Sequence, residues 1–170
     1  MWIVVEHLAS CVVDELLTQR RMRALPSLCL APLIVGACAY QADSFTYAEQ
    51  RFRGQHVTID CLDLAIERRP VAVRGRVVLA YEFGNRCDQP AVVDLSSVRI
   101  VGRATDGATI ELAAYDPRRQ IRPARLDGRS VGREAIAYSS TVVVRDVCLD
   151  AAAIAHASPS QWICFGAVRP

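Results

Sequence analysis

Cysteine, histidine and aspartate are the residue types in this chain whose chemistry and spacing are most telling. There are seven cysteines, at positions 11, 29, 38, 61, 87, 148 and 164. Beyond Cys38 four remain: Cys61, Cys87, Cys148 and Cys164. An even number in an exported chain favours two disulfides, and the spacing matches no compact zinc signature. His56 and His156 each stand alone, with no Cys, Asp or Glu at metal-ligand spacing, and are expected as surface histidines at element ends. Asp60 and Asp63 are two carboxylates of the kind glycoside chemistry sets face to face. Three apart on an ordinary strand they point to opposite faces, so they are expected as solvated edge groups. Ser139, Ser140 and Thr141 lack a nucleophile-elbow context. The glycines never combine into a phosphate loop, and the oxygen ligands around Asp106 and Asp127 are too sparse for calcium. The expectation is no catalytic residue, no metal and no cofactor.

Cys38 belongs to a different chemistry. Arg20, Arg21 and Arg23 form a basic cluster, followed by a mostly apolar, uncharged run over residues 24–37. A basic region, a short apolar core and small residues before a cut mark a secretory signal. The core is too short to span a bilayer, which takes about twenty apolar residues. Pro26 and Pro32 would interrupt a buried helix. Val35-Gly36-Ala37-Cys38 resembles the bacterial lipobox: an aliphatic residue, two small ones, then the cysteine that receives lipid. The resemblance implies cleavage before Cys38 and a diacylglycerol thioether on it. Ala39 in the next position resembles outer-membrane sorting. Residues 1–21 carry Glu6, Asp14 and Glu15, which do not suit a signal, so translation is expected to begin at Met22. The division expected is therefore 1–21 upstream extension, 22–37 lipoprotein signal, 38–55 tether and 56–170 folded domain.

Composition narrows the partners. All 20 basic residues are Arg and the formal net charge is +2. The arginines interleave with Asp and Glu, so no continuous basic face is expected and nucleic-acid binding is excluded. Arg86, Arg118, Arg119, Arg122 and Arg125 are the ones that could gather at one loop end and face a ligand. An acidic partner would follow, such as lipopolysaccharide phosphates or an envelope polysaccharide.

Residues 39–55 are polar and mixed, with no sustained period, and read as the tether; Phe45, Tyr47 and Phe52 are the residues that could pack on the domain edge. Residues 56–66 read as a first strand that changes phase near Leu62, with a bulge or bend there. In residues 71–83, Val77, Leu79, Tyr81 and Phe83 alternate with a wetter face, and Tyr81 and Phe83 are expected to fill the core. A turn-rich loop follows at 84–90, where Asn85 is expected either to cap or turn the loop through its side chain or to take a left-handed backbone. Short strands are expected at 91–95 and 98–103, an Asp106-Gly107 hairpin and a return strand at 109–115. Further strands are expected at 132–139, 141–149 and 162–165, with a helical turn within 150–157. Eight or so short strands without βα alternation predict an all-β Greek-key sandwich, immunoglobulin-like first, with a jelly roll or small barrel second.

Residues 61–66 (CLDLAI) echo residues 148–154 (CLDAAAI), and each copy is followed by one more cysteine. Halves built alike favour sequential pairing, Cys61–Cys87 and Cys148–Cys164; the rival ties Cys61 to Cys164 and leaves Cys87 for Cys148. The segments 81–87 (YEFGNRC), 147–150 (VCLD) and 162–166 (WICFG) are similar to small uncharacterised lipoproteins of predatory soil bacteria. That resemblance implies location and fold, and no catalytic residues. Two classes of function stay open on these residues. One is a non-catalytic envelope module for a protein or glycan; the other is an envelope hydrolase with an unfamiliar site.

Overall fold

A computed structural model describes residues 39–47, 50–71, 75–114 and 121–166. The upstream extension, the signal, Cys38, Arg118 and Arg119 lie outside the described residues.

The strands are β1 (Tyr40–Gln41), β2 (Thr46–Tyr47), β3 (Gln50–Arg51), β4 (Gln55–Ile59), β5 (Leu62–Arg69), β6 (Arg76–Asn85) and β7 (Ala91–Val93). They continue with β8 (Ile100–Ala104), β9 (Thr109–Glu111), β10 (Ala113–Ala114), β11 (Ala124–Leu126), β12 (Val131–Ser139), β13 (Val144–Asp150) and β14 (Trp162–Phe165). A 3₁₀ helix spans Ala151–Ala155, its first turn capped by the Asp150 carboxylate. Two antiparallel sheets make the sandwich, a five-stranded one ordered β10-β12-β6-β5-β4 and a four-stranded one ordered β14-β13-β8-β9. Taken from β5 onward, those orders are the D-E-B-A and G-F-C-C′ orders of an immunoglobulin-like Greek key, with β4 added beyond the first strand. The fold is an all-β sandwich, as the strand count and turn spacing predict.

The core lies between the sheets. Leu64, Ile66, Leu79, Tyr81 and Phe83 face Ile100, Val147, Leu149 and Ile163 across it. Period-2 alternation puts these side chains on one face of each strand. Tyr81 and Tyr138 share a hydroxyl–hydroxyl hydrogen bond of 2.9 Å inside the core. That contact leaves neither phenol as an orphan in an apolar layer.

Three local expectations change. Residues 56–66 are not one bulged strand but a hairpin, with Ile59 opposite Leu62. Asp60 takes the left-handed conformation that the two-residue turn needs (φ 50°). Asp tolerates that region, and without Gly or Asn the turn left little mark in the sequence. Residues 109–115 do not form one strand. They pair with β8 up to Glu111, then cross at buried Leu112 to join β12 in the other sheet.

The third change concerns 38–55. The described residues of 39–55 are no free tether: β1, β2 and β3 form a small antiparallel meander on the outer face of the five-stranded sheet, and β4 begins at Gln55. Tyr40 and Phe52 are each 2% exposed and pack with Ala65. The physical reason is a sheet face built from small residues. Gly84 and Ala65 leave a hollow, and a Cβ at Gly84 would fall inside the Tyr40 ring. An aromatic pair filling it removes apolar surface from water, which outweighs the disorder a polar segment would otherwise keep.

Candidate functional site

Side chains two apart on a strand share a face, and register extends each face sideways. On the outer face of the five-stranded sheet, one row runs Thr58, Asp63, Gly84, Val131 and the next runs His56, Ala65, Glu82, Arg133. The first row sits under the meander and the second emerges from beneath it.

Under the meander Asp63 is fully buried, which corrects its expected place as a solvated edge group. Its carboxylate accepts hydrogen bonds from the Tyr40 hydroxyl (2.8 Å), the Thr58 hydroxyl (2.6 Å) and the Asp43 backbone N–H (3.1 Å). The Arg86 guanidinium stands 3.9 Å away and pairs closely with Asp43. A buried carboxylate is tolerable only when its lone pairs are filled this way. Burial pushes the Tyr40 hydroxyl pKa well above its ordinary value, and the Asp63 hydrogen bond and charge add to the rise. Every member of this cluster is satisfied by another, so it holds the meander down rather than presenting a reactive group.

Beyond the meander the face opens into a polar groove of about 890 Å³. Gln50, Arg51, Phe52 and Arg53 form one wall. Glu67, Arg69, Pro70, Glu82 and Arg133 form the floor and the other wall. Four guanidinium groups thus face two carboxylates. Glu82 is committed, one oxygen accepting from the Arg53 backbone N–H at 2.9 Å and the other standing 3.1 Å from Arg133 Nε. Arg69 Nε lies 3.8 Å from Glu67 on the exposed rim, a weak screened pair. Arg133 is distinctive: its Nε and one terminal nitrogen are enclosed by protein yet make no hydrogen bond of good geometry. Nε is close enough to Glu82 to feel its charge, but misaligned. Buried N–H groups without acceptors are costly, and arginine is the side chain best shaped to grip a carboxylate or phosphate in two places.

Of the arginines singled out from sequence, Arg118 and Arg119 lie outside the described residues and the other three are placed elsewhere. Arg86 turns into the Asp63 cluster. Arg125 pairs with Asp127 at 3.9 Å, and Arg122 is engaged in a contact of its own. Arg51, Arg53, Arg69 and Arg133 are the set that the fold brings together. They sit on β3, the stretch after it, β5 and β12, too far apart in sequence to be recognised as one group. Alternation could have flagged Arg133, Arg69 and Glu82 as outward residues, though not the wall that the meander's edge supplies.

The two disulfides are Cys61–Cys87 and Cys148–Cys164, the sequential pairing. The first ties the β4–β5 turn to the loop after β6. The second joins directly opposed residues of β13 and β14 on the outer face of the four-stranded sheet. Asn85, fully buried, donates through its side-chain nitrogen to the carbonyls of Gln89, Leu126 and Asp127 and accepts from the Cys87 N–H. It organises that loop through its side chain, one of the two expected roles.

The histidines among the described residues each have a neighbour of their own. His56 stacks on Phe45 with ring centroids 4.2 Å apart. His156, the left-handed cap of the 3₁₀ helix, stands 3.2 Å from buried Asp94, a contact that sequence distance hid. Asp94 also accepts from the Ser96 hydroxyl and N–H. Serine, aspartate and histidine therefore meet, but the carboxylate lies in the middle, so the histidine cannot take the serine proton as a nucleophilic triad requires. Burial raises the Asp94 pKa, and the Ser96 hydrogen bonds with the nearby His156 more than reverse this, leaving it below its ordinary value. No group of three or more His, Cys, Asp or Glu able to hold a metal occurs among the described residues.

No protein-family model and no curated protein matches the chain. Among solved structures it is similar to the yjhA protein from Bacillus subtilis, at 9% identity and TM-score 0.43, covering 60% of this chain and 81% of that one. It is also similar to an uncharacterized beta-sandwich protein from Clostridium difficile 630, at 12% identity and TM-score 0.36, covering 57% and 82%. Both likenesses are remote, and the fold assignment rests on the strand order above.

Proposed function

We propose that this chain is a non-catalytic module of the bacterial cell envelope, held at the outer membrane by lipid on Cys38, that binds an acidic glycan in the arginine-walled groove. The observation that carries the binding half is the groove itself. Four guanidinium groups outnumber its carboxylates, and one terminal nitrogen of Arg133 is enclosed without a hydrogen-bond acceptor while its Nε pairs with Glu82. Uronic-acid carboxylates spaced along a polymer supply acceptors for several arginines at once. The open, polar shape of the groove suits a chain lying across it rather than a small molecule enclosed by it. The lipobox-like residues before Cys38 and the two disulfides support the envelope half.

Calorimetric titration of the domain with oligogalacturonate checks the binding. Saturable binding that weakens as salt is raised, and that fails with Arg51→Gln and Arg53→Gln together, is the expected result. Equal binding of an uncharged oligosaccharide, or survival of binding in the double variant, overturns the groove assignment. Retention of acidic proteins and not of the glycan would move the reading to a protein partner.

A further inference from the structure

We infer that the end of the sandwich carrying the 85–89 and 127–130 loops is a bilayer-facing surface, held flat against the lipid headgroups with no intervening tether. This rests on the reading of Cys38 as the lipidated residue.

The chain length decides the reach. Only Ala39 separates Cys38 from Tyr40, and two peptide steps span at most about 7 Å. Tyr40 is not free to extend that reach. Its ring is 2% exposed, it stacks on Phe52 at 5.5 Å, and its hydroxyl donates to Asp63. Its backbone N–H donates to the Arg129 carbonyl at 2.8 Å. A lipid on Cys38 is therefore pinned to one place on the domain surface.

That place is built to bear a load and to approach lipid. The Cys61–Cys87 disulfide, the Asn85 hydrogen bonds and the Arg129 N–H to Cys87 carbonyl bond (3.0 Å) brace it. Three acidic side chains there have an arginine partner: Asp43 with Arg86, Asp88 with Arg129 and Asp127 with Arg125, while Asp60 stands exposed in the β4–β5 turn. Paired carboxylates present little net negative charge to an anionic membrane surface, whose potential would repel bare ones. Strand β6 then rises away from the bilayer at about 3.3 Å per residue. The groove, from Glu82 to the level of Val78 opposite Arg69, lies about 10–25 Å above the headgroups by the same rise, open sideways to a polymer running along the membrane.

The test uses the lipidated protein in vesicles whose headgroups carry a fluorescence quencher. A dye is placed at Gln89→Cys, at the anchor end, or at Val143→Cys, at the opposite end, the native disulfides being kept. Loss of most of the emission at 89 and almost none at 143 is the expected result. Inserting a ten-residue Gly/Ser segment after Cys38 should level the two. Intact mass on the same sample reads the lipid. Lipid present with equal quenching at both sites overturns the inference alone. Absence of lipid overturns the Cys38 reading and the inference with it.

Discussion

The two outer faces of the sandwich solve one problem differently. Each sheet buries one face in the core and exposes the other. The five-stranded sheet roofs its outer face with the chain's own β1–β3 meander, setting Tyr40 and Phe52 over Gly84 and Ala65. The four-stranded sheet carries no such roof among the described residues. Its outer face presents the Cys148–Cys164 bridge and Val101 in one cross-strand row, with a shallow hollow of about 280 Å³ between them and Asp146, Arg103 and Thr109. Trp162 stands half-exposed beside it. Small residues invite a cover, and a cover brings its own polar groups that need partners, hence buried Asp63. A covalent staple needs neither. The proposed binding groove depends on the roof, because its edge supplies one of the groove's two walls.

The roof breaks hardest at Asp63. Asp63→Ala removes the acceptor for Tyr40, Thr58 and the Asp43 N–H and leaves Arg86 short of a counter-charge. A loss of about 3–5 kcal/mol is expected in urea unfolding, together with rapid proteolysis within residues 39–53. If the cleavage rate there stays at the wild-type level, the meander is not held by this carboxylate.

On the bare face, replacing Cys148 and Cys164 together by Ser opens a loop of sequence separation 16. The chain-entropy account gives a loss of about 3 kcal/mol, while protection of the meander stays as in wild type. Loss of that protection would couple the two faces through the core.

Between the sheets, Tyr138→Phe strands the Tyr81 hydroxyl at a cost of about 1–3 kcal/mol and serves as a control belonging to neither outer face. Burial pushes the Tyr138 pKa up to about 12, and Tyr81 well above its ordinary value. A raised pKa in the folded state stabilises fully below the unfolded value of 10.0 and loses that contribution as pH rises through the folded value. Melting temperature should therefore fall above pH 10, less steeply in Tyr138→Phe. Asp94 works in the opposite sense. Its pKa is held below 3.8, so its contribution is complete above that pH and disappears as pH falls through the depressed folded value. Asp94→Asn should flatten the acid limb of the same melting profile, and an unchanged limb would remove Asp94 from the account.

The smallest effect on stability is expected from Arg51→Gln with Arg53→Gln, whose side chains are exposed: a change within about 0.5 kcal/mol, while glycan binding is lost. A large destabilisation would mean that these arginines hold the roof rather than line a site.

Strand alternation, turn residues and the cysteine echo are local signals. By themselves they determined the all-β class, Tyr81 and Phe83 in the core and the Asp106-Gly107 hairpin, with Gly107 at φ 87°; they favoured the 61–87 and 148–164 pairing over its rival, which the structure then settled. Each depends on residues a few positions apart or on a pattern that repeats along the chain. The tertiary structure decided the rest. Residues 39–55 read as polar tether because their two anchoring aromatics, Tyr40 and Phe52, have no period of their own; they need a hollow that Gly84 and Ala65 create from other strands. Asp63 reads as a surface carboxylate because its partners, Tyr40 at a separation of 23 and Arg86 beyond the next strand, come together only when the sheet is roofed. Arg51, Arg69 and Arg133 are each unremarkable in their own segments. Sheet register and the meander's edge make them one site, since charge acts through distance in space and that distance is set only when the sheet is complete.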